Sequence, residues 1–374
     1  MRRIVISSHV LMPGASHALL DYLISKKNST IRFISLPLVT QRYLSARDYP
    51  SKRIISKKKA IEPSLFEYLY EFVFVISNSL NFSSNIDVFF GVDPLNAVAG
   101  IILRRIGRVR KVIFYGIDFV PKRFTNPLIN VFFHYFEKIA VKYSDEVWNV
   151  SPRISEGRKK YLGIDSKKYV QKTVPIGIGK IIRKKSYKVH HTLIFIGHLL
   201  EKQGLQLVID SFPNILKKLP DIKLTIIGGG EYENELKKQV KRLNLENSVN
   251  FLGWIDSREK ISVEMQKSDM GIACYKPEKN KLSNFTYYAD PTKIKDYLSY
   301  GLPVLTTNVP YNAYEINSAG CGFIVEYRKE EIEKAIIDFY KSESLIIEKK
   351  RRAYQYIEKY TWNKIFDKAT NEII

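Results

Sequence analysis

Short runs of apolar, often β-branched residues alternate with amphipathic stretches along most of the chain. Residues 4–8 predict a first strand, residues 17–26 predict a helix that Ser16 can cap, and residues 31–36 predict a second strand. The alternation continues with predicted helices at 64–80, 94–105, 126–143 and 153–162, and predicted strands at 86–91, 111–115, within 145–152 and at 170–174. Strands that alternate with helices in this way predict a parallel, doubly wound sheet.

The second half of the chain starts the same alternation again. Predicted strands lie at 192–196, 222–227, 249–254, 269–275, 304–307 and 321–325, with helices at 205–218, 232–243, 258–267 and 329–342 between and after them. Residues 37–59 are polar and basic with few apolar anchors, so we expect a surface loop there. Residues 345–366 predict one long terminal helix.

The length of 374 residues exceeds one hydrophobic core and indicates two domains. We place an N-terminal domain at 1–178 and a linker at 179–191, because the stretch 176–191 is rich in glycine and charge and has no apolar periodicity. A C-terminal domain follows at 192–344, and residues 345–374 are expected to pack back toward the N-terminal domain. The predicted fold class is α/β, with two Rossmann-like domains that face each other across a ligand cleft.

Charge narrows the choice of partners. Lys and Arg total 60 against 38 Asp and Glu, which gives a formal net charge of +22. Such a charge favours an anionic partner, which could be a nucleic acid, an anionic membrane surface or a phosphorylated small molecule. The basic residues are spread along the chain and do not interleave with aromatic residues in any nucleic-acid module, so no specific nucleic-acid partner is expected.

Composition also bears on compartment and metal content. Two cysteines suit a reducing cytoplasm, and the six scattered histidines show no metal-ligand spacing, so no metal and no cofactor are expected. The most apolar segments are interrupted by charged residues such as Glu71 and Asp93, so none supplies the roughly 20 apolar residues of a membrane span. We expect a cytoplasmic protein, or one bound at the inner face of a membrane.

Two regions of the first half contain candidates for chemistry. Asp118 follows the predicted strand at 111–115, and the carboxyl ends of parallel strands are where open α/β sheets bind ligands. The alternative is that Asp118 caps a turn. Gly14 and His17 lie where the first strand passes through a loop into a helix, an arrangement that receives phosphate in α/β folds. Asp118 and His17 are therefore the candidate catalytic residues, and Gly14 is a candidate for close approach to a ligand.

The stretch from 287 to 307 is the main candidate of the second half. Asp290 precedes Pro291, where its carboxylate could cap the helix that follows. Lys293 and Asp296 are three residues apart, so their side chains can reach one spot, where Asp296 would accept from a diol and Lys293 would face charge. The alternative is a surface helix with an ion pair between these two residues.

Several short motifs in fixed order carry a resemblance to a known family. They are the loop 197–204, the glycine run 228–231, Phe251-Leu-Gly253, Ser268-Asp269 and the segment 290–304. In this order the second half resembles the donor domain of GT-B glycosyltransferases of the family 4 type, and the first half resembles their acceptor domain more loosely, at 145–151. The resemblance implies a nucleotide-diphosphate sugar as donor and a glycan or lipid-linked acceptor, as in polysaccharide biosynthesis, without a metal.

The resemblance also implies roles for individual residues. His198 stands where the family has an arginine on the diphosphate, and Lys202 falls one residue earlier than the family's lysine. The leaving diphosphate would therefore be held by Lys202 and Lys293, and the ribose by Asp296. Tyr288 occupies the place of the family's first glutamate, so Asp290 is the nearest acid for the sugar. Gly197, Gly229 and Gly253 complete the expected donor-binding set.

Some alternatives stay open at this stage. Asp118 replaces a histidine that many family members carry, so the stereochemistry is open, with retention favoured by the resemblance. A sugar-nucleotide 2-epimerase has the same architecture, and a basic anion-binding or nucleic-acid-binding protein is the alternative from another class. The cluster of basic residues from Arg104 to Lys111 suggests that the first domain docks on an anionic membrane.

Overall fold

The computed structural model describes residues 1–10, 13–37, 43–60, 65–83, 85–183, 188–278, 285–371 and 373. Contacts within these residues divide the chain into two compact units. The first unit comprises Met1–Ile176 together with Trp362–Ile374, and the second comprises Gly177–Thr361. The terminal segment from Trp362 is thus grouped with the first unit, whereas the predicted linker region belongs to the second.

The first unit is built on an eight-stranded sheet. Its strands are β1 (Arg2–Val10), β2 (Ser29–Pro37), β3 (Tyr43–Tyr49), β4 (Arg53–Lys59), β5 (Ile86–Val92), β6 (Val109–Gly116), β7 (Glu146–Asn149) and β8 (Gln171–Thr173). Its helices are α1 (Ala15–Ser25), α2 (Leu65–Leu80), α3 (Pro94–Arg105), α4 (Pro127–Tyr143) and α5 (Pro152–Leu162), with the last helix of the chain, α14 (Trp362–Thr370). The strand order is β4-β3-β2-β1-β5-β6-β7-β8, and the six strands from β2 to β8 are parallel.

The prediction of a surface loop at 37–59 is wrong for its described part. Residues 43–59 form the antiparallel edge strands β3 and β4. Only Leu44 and Ala46 are buried there, and β4 exposes most of its side chains, so the apolar alternation of a strand is missing. Main-chain pairing to β2 holds these strands instead. The lysines at the end of β4 suit an edge strand, because charge discourages further strand addition.

The second unit contains a six-stranded, wholly parallel sheet. Its strands are β9 (Thr192–Ile196), β10 (Lys223–Ile227), β11 (Val249–Gly253), β12 (Met270–Ala273), β13 (Val304–Thr307) and β14 (Gly322–Val325). Its helices are α6 (Leu205–Lys218), α7 (Glu233–Arg242), α8 (Arg258–Gln266), α9 (Phe285–Tyr288), α10 (Thr292–Ser299), α11 (Ala313–Ser318), α12 (Lys329–Phe339) and α13 (Glu343–Ile357). The order β11-β10-β9-β12-β13-β14 confirms the doubly wound α/β fold. Its topological switch point, where the strand order reverses, lies between β9 and β12.

Two further predictions about helices are corrected by the structure. Helix α1 begins at Ala15 after Gly14, and no side chain caps it, so Ser16 lies inside the helix and is buried. The predicted terminal helix is two helices, α13 and α14. The chain leaves helical geometry at Thr361, which bridges to Ile178, and the main-chain amide of Ile178 donates to the carbonyl of Tyr360 at 2.9 Å.

The buried carboxylate of Asp269, just before β12, connects several elements of the second unit. The carboxylate of Asp269 is fully buried and accepts from Lys350 Nζ at 2.6 Å, from Tyr340 Oη at 3.2 Å and from the main-chain amide of His190 at 2.9 Å. These contacts join β12, α12, α13 and the segment that leads into β9. Because both charges lie out of water, removing one would leave the other uncompensated.

We expect Lys350→Met to lower the free energy of unfolding of the second unit by about 3 kcal/mol or more, because Asp269 then stays buried without its cation. Chemical denaturation followed by fluorescence measures the change. The matched control is Lys341→Met, whose partner Asp338 is 2.6 Å away in an exposed ion pair. That variant should change stability by less than about 1 kcal/mol. Equal effects of the two variants would contradict the structural role of the buried pair.

Candidate functional site

The carboxyl ends of the parallel strands of the second unit gather most of the predicted donor-binding residues at one edge. The loop 197–204 follows β9, the glycine run follows β10, Trp254 follows β11, and α10 begins between β12 and β13. Parallel strands all end at the same side of their sheet, so these segments share one edge. We call this the donor edge.

Lys293 is the central cation of the donor edge. Its Nζ donates to Gln203 Oε1 at 2.6 Å and lies 4.2 Å from the ring centroid of Phe195 and 5.2 Å from that of Tyr275. The amine is also 3.2 Å from the position that a Cβ on Gly197 would occupy. Burial lowers the pKa of Lys293 to about 7. A bound anion would therefore restore the charge that burial disfavours.

Asp296 lies one turn further along α10 and does not pair with Lys293. Within the described chain, no ion pair joins these two residues, so the alternative of a surface helix with an ion pair between them is wrong. The carboxyl of Asp296 is exposed to solvent, yet desolvation by the surrounding protein raises its pKa to about 6, against the charges of Arg258 and Lys295. An exposed carboxyl of this kind can accept hydrogen bonds from a diol.

Asp290 occupies a different environment from the one that the sequence suggests. Helix α10 has Pro291 at its N-cap and no side-chain cap, so the prediction that Asp290 caps it is wrong. Instead, Asp290 forms a fully buried ion pair with Lys295, whose Nζ lies 4.5 Å from the ring centroid of Tyr360. The lysine lies inside the helix, where it can reach the carboxylate that precedes it. Asp290 therefore anchors the start of α10 within the unit.

Glycines allow the first two loops of the donor edge to pack main chain against main chain. Gly228 has a φ of 136°, and a Cβ there would lie 1.9 Å from the carbonyl oxygen of Gly197. The amide of Leu199 donates to the carbonyl of Gly229 at 2.9 Å and fixes the two loops side by side. Any side chain at residue 228 would separate the loops, so the glycine run has a structural reason besides close approach to a ligand.

His198, Lys202 and Gly253 complete the predicted donor set. His198 is exposed, and its ring centroid lies 5.5 Å from that of Trp254, which follows Gly253 at the end of β11. Trp254 is itself exposed and donates from Nε1 to Asp256 Oδ1 at 2.6 Å. Lys202 lies in the turn before Gly204, where its carbonyl accepts from the amide of Lys276 at 3.0 Å. The contact with Lys293 is made by Gln203, the residue next to Lys202.

Asp118 lies at the carboxyl edge of the first unit, as the sequence predicts. It follows β6 by two residues, and both of its carboxylate oxygens accept from Arg123, at 3.0 and 2.7 Å. Burial raises the pKa of Asp118, and Arg123 opposes that shift. His134 of α4 supports the loop through a 2.9 Å contact with the carbonyl of Pro121. A carboxylate held in this way can serve as a base or as an acceptor for a hydroxyl group.

Gly14 and His17 lie at the start of α1. Gly14 is exposed, and its carbonyl accepts the first helical hydrogen bond, from the amide of Ala18 at 3.0 Å. His17 is half-buried, its ring centroid is 4.8 Å from that of Phe33 in β2, and burial lowers its pKa. The packing against Phe33 gives His17 a structural role, and its catalytic role stays a prediction.

A cluster that the sequence does not reveal lies at the ends of β1 and β5. His9 is held between Asp93, at 2.7 Å, and Glu71, at 3.0 Å. Burial opposes the imidazolium, but the two carboxylates together raise the pKa of His9 to about 10. Asp93 also caps α3 by accepting from the amide of Asn96 at 2.9 Å. The Asp-Pro pair that starts α3 signals this cap, but the approach of Glu71 from α2 has no local signal.

The described residues contain neither a cluster of metal ligands nor a helix that could span a membrane. Across them, no group of three or more His, Cys, Asp and Glu side chains is arranged to hold a metal ion. None of their helices is long and apolar enough to cross a bilayer.

Comparisons with known proteins find similarity to glycosyltransferases. Residues 180–360 match the family described as glycosyl transferases group 1. Poly(glycerol-phosphate) alpha-glucosyltransferase of Bacillus subtilis (strain 168) is 29% identical over 170 residues, 45% of this chain and 23% of that protein. Alpha-monoglucosyldiacylglycerol synthase of Streptococcus pneumoniae is 29% identical over 120 residues, 32% of this chain and 25% of that protein. The matches thus span only 23% and 25% of the length of these curated relatives.

A solved structure resembles the whole chain. The crystal structure of Anabaena HepE in complex with UDP-glucose has a TM-score of 0.72 and 16% sequence identity, and the similarity covers 100% of this chain and 99% of that one. At this identity the likeness establishes the fold. Residues 180–360, just under half of the chain, thus resemble the glycosyl transferases group 1 family, and the fold of the chain is that of the GT-B glycosyltransferases.

Proposed function

We propose that this protein is a metal-independent glycosyltransferase that moves a sugar from a nucleotide-diphosphate sugar to a glycan or lipid-linked acceptor. The observation that carries the proposal is the placement of Lys293 at the donor edge, where its amine pairs with an amide oxygen among aromatic rings. Glycosyl transfer from such a donor requires stabilisation of a departing diphosphate. A lysine that burial has left partly neutral gains its full charge when that anion arrives.

Other residues of the donor edge supply the remaining contacts with the donor. Lys202 supplies a second cation from the neighbouring turn, and Asp296 accepts from the ribose hydroxyls through its exposed carboxyl. The fully buried pair of Asp290 with Lys295 favours a role for Asp290 in positioning α10. Trp254 and His198 offer exposed aromatic faces beside the glycine run, which suit contact with a base or a phosphate.

The acceptor side of the proposal rests on Asp118. Its carboxylate is held by Arg123 at the edge of the first sheet, and its pKa is raised by burial. It orients a hydroxyl group of the donor or of the acceptor, and retention of configuration is the favoured outcome by family resemblance. The names of the relatives concern glucosyl transfer to poly(glycerol-phosphate) and a glucosyldiacylglycerol product. Polymeric and lipid acceptors at the cytoplasmic face of a membrane are therefore the classes that we propose.

We expect the affinity for a sugar nucleotide to be highest between about pH 6 and 7. Below this window Asp296, with a pKa near 6, takes up a proton and loses its charge as an acceptor for the ribose. Above it Lys293, with a pKa near 7, loses the proton that the diphosphate requires, so affinity falls by up to about tenfold per pH unit. A panel of UDP, GDP and ADP sugars is first screened for the one that stabilises the protein most. Calorimetric titration with that sugar nucleotide over a range of pH then measures the fall in affinity on the acid side and on the alkaline side.

Two variants separate the limbs of this profile. Lys293→Arg keeps its charge at every pH tested and should flatten the alkaline limb, whereas Asp296→Asn should flatten the acid limb. Lys341→Arg, on the exposed Asp338 pair, is the matched control and should keep the full profile. If no sugar nucleotide stabilises the protein, or if both variants keep the wild-type profile, the donor assignment fails.

We expect Asp118→Asn to lower kcat by about 10²- to 10⁴-fold while the KM for the donor stays within a few-fold. The amide keeps the shape of the side chain but cannot accept a proton or balance Arg123. Steady-state kinetics with the donor found above measures both constants. Asp87→Asn is the control, because Asp87 lies at the opposite end of the sheet, where it accepts from the amide of Arg3 at 2.8 Å. An equal loss in both variants would show a general effect on the first unit.

A further inference from the structure

One face of α4 exposes an apolar stripe to solvent. Leu128, Val131, Phe132 and Tyr135 are 78%, 68%, 57% and 59% exposed. They follow one another at the i, i+3, i+4 and i+7 positions of the helix, so their side chains form one continuous face. Scattered exposed apolar residues are ordinary on protein surfaces, but four on a single helical face indicate an interaction surface.

Charge on the same helix indicates what covers this face. Lys138 and Lys142 are exposed three and seven positions after Tyr135, so they extend the same stripe. The one carboxylate of α4, Glu137, is buried and accepts from Arg158 Nε at 2.9 Å. Exposed charge on this helix is therefore positive, and the stripe passes from apolar and aromatic residues to lysines. This is the pattern of a helix that lies in the interface of an anionic bilayer.

Helix α2 presents a second apolar stripe in the same layer. Phe66, Leu69 and Val73 are 75%, 60% and 55% exposed at helical spacing. Both α2 and α4 contact α3, so they flank it on one side of the sheet. Both helices also run antiparallel to the parallel strands, and most of their exposed apolar residues lie in their N-terminal halves, while Val73 lies just past the middle of α2. The two stripes are therefore near the sheet edge that carries Asp118.

The sequence suggests the basic cluster from Arg104 to Lys111 for membrane contact. Two of its side chains form ion pairs within the first unit. Arg104 pairs with Asp145, and Lys111 pairs with Glu146 at 2.8 Å. These two ion pairs neutralise part of the positive charge of the cluster, so less of that charge is available to anionic lipids than the number of basic residues implies. On α4, the exposed charge that continues the apolar stripe is that of Lys138 and Lys142.

We propose that the apolar stripe of α4, continued by Lys138 and Lys142 and supported by the stripe of α2, docks this protein on an anionic lipid bilayer. The aromatic and aliphatic side chains enter the boundary between headgroups and acyl chains, and the lysines contact anionic headgroups. Docking at this edge brings Asp118 toward acceptors carried in the membrane. The surface acts independently of the donor edge, so it can be tested whether or not sugar transfer is found.

The test is co-sedimentation of the full chain with vesicles of phosphatidylcholine alone or with about one third phosphatidylglycerol. We expect binding to the anionic vesicles and weaker binding at high salt. Val131→Ser with Phe132→Ser should reduce partitioning at least tenfold, because each buried CH₂ contributes to insertion. Lys138→Gln with Lys142→Gln should reduce binding to anionic vesicles about thirtyfold and leave the weak binding to neutral vesicles unchanged.

Matched controls separate docking from general effects. Val263→Ser with Tyr314→Ser removes two apolar side chains that are 46% and 63% exposed in the second unit, and it should bind as the wild type does. Asp296→Ala should also bind normally, since the donor edge is not involved. Melting temperatures verify that every variant folds. No binding to anionic vesicles, or equal loss in the Val263 control, would overturn the proposal. Sedimentation showing a dimer that Val131→Ser abolishes would assign the face to a second copy instead.

Discussion

The donor edge depends on a lysine that is paired with an amide in place of a carboxylate. Lys293 places its amine between Gln203 and two aromatic rings, so burial disfavours its charge and the pKa falls to about 7. Lys295, two residues later on the same helix, is bound by Asp290 in a fully buried pair. One lysine thus anchors the helix, and the other leaves its charge available to a ligand. The close packing of the loops around Gly197 and Gly228 keeps the available amine at the strand ends.

Most of the fold follows from local pattern, and the exceptions have clear causes. Helix α3 and strand β9 have the bounds that apolar spacing, Asp-Pro and turn residues predict. The sequence pattern does not predict strands β3 and β4. Main-chain pairing of β3 to β2 and of β4 to β3 holds them, while their side chains are mostly solvated. The break before α14 is likewise set by pairing of Ile178 with Thr361, which is distant in sequence.

In the candidate site as well, the sequence predicts the residues that local pattern places and misses those that long-range contacts place. The sequence places Asp118 and the loop before Gly204 at strand ends, because strand order and turn residues are local features. It cannot place Asp290, whose role is decided by a lysine five residues later that is buried in the unit. Nor can it find His9 between Asp93 and Glu71, since those carboxylates come from the N-cap of α3 and from α2. Long-range side-chain pairing is therefore what pattern alone fails to predict.

The two units use charge in opposite ways at their strand ends. In the second unit the edge offers amines and main-chain turns, which suit a diphosphate that leaves with negative charge. In the first unit the edge offers carboxylates that have cationic partners: Arg123 pairs with Asp118, and His9 lies between Asp93 and Glu71. Carboxylates accept hydrogen bonds from hydroxyl groups and repel other anions. The net charge of +22 is then of most use on exposed surfaces such as α4, where lysines adjoin apolar residues and an anionic bilayer satisfies both.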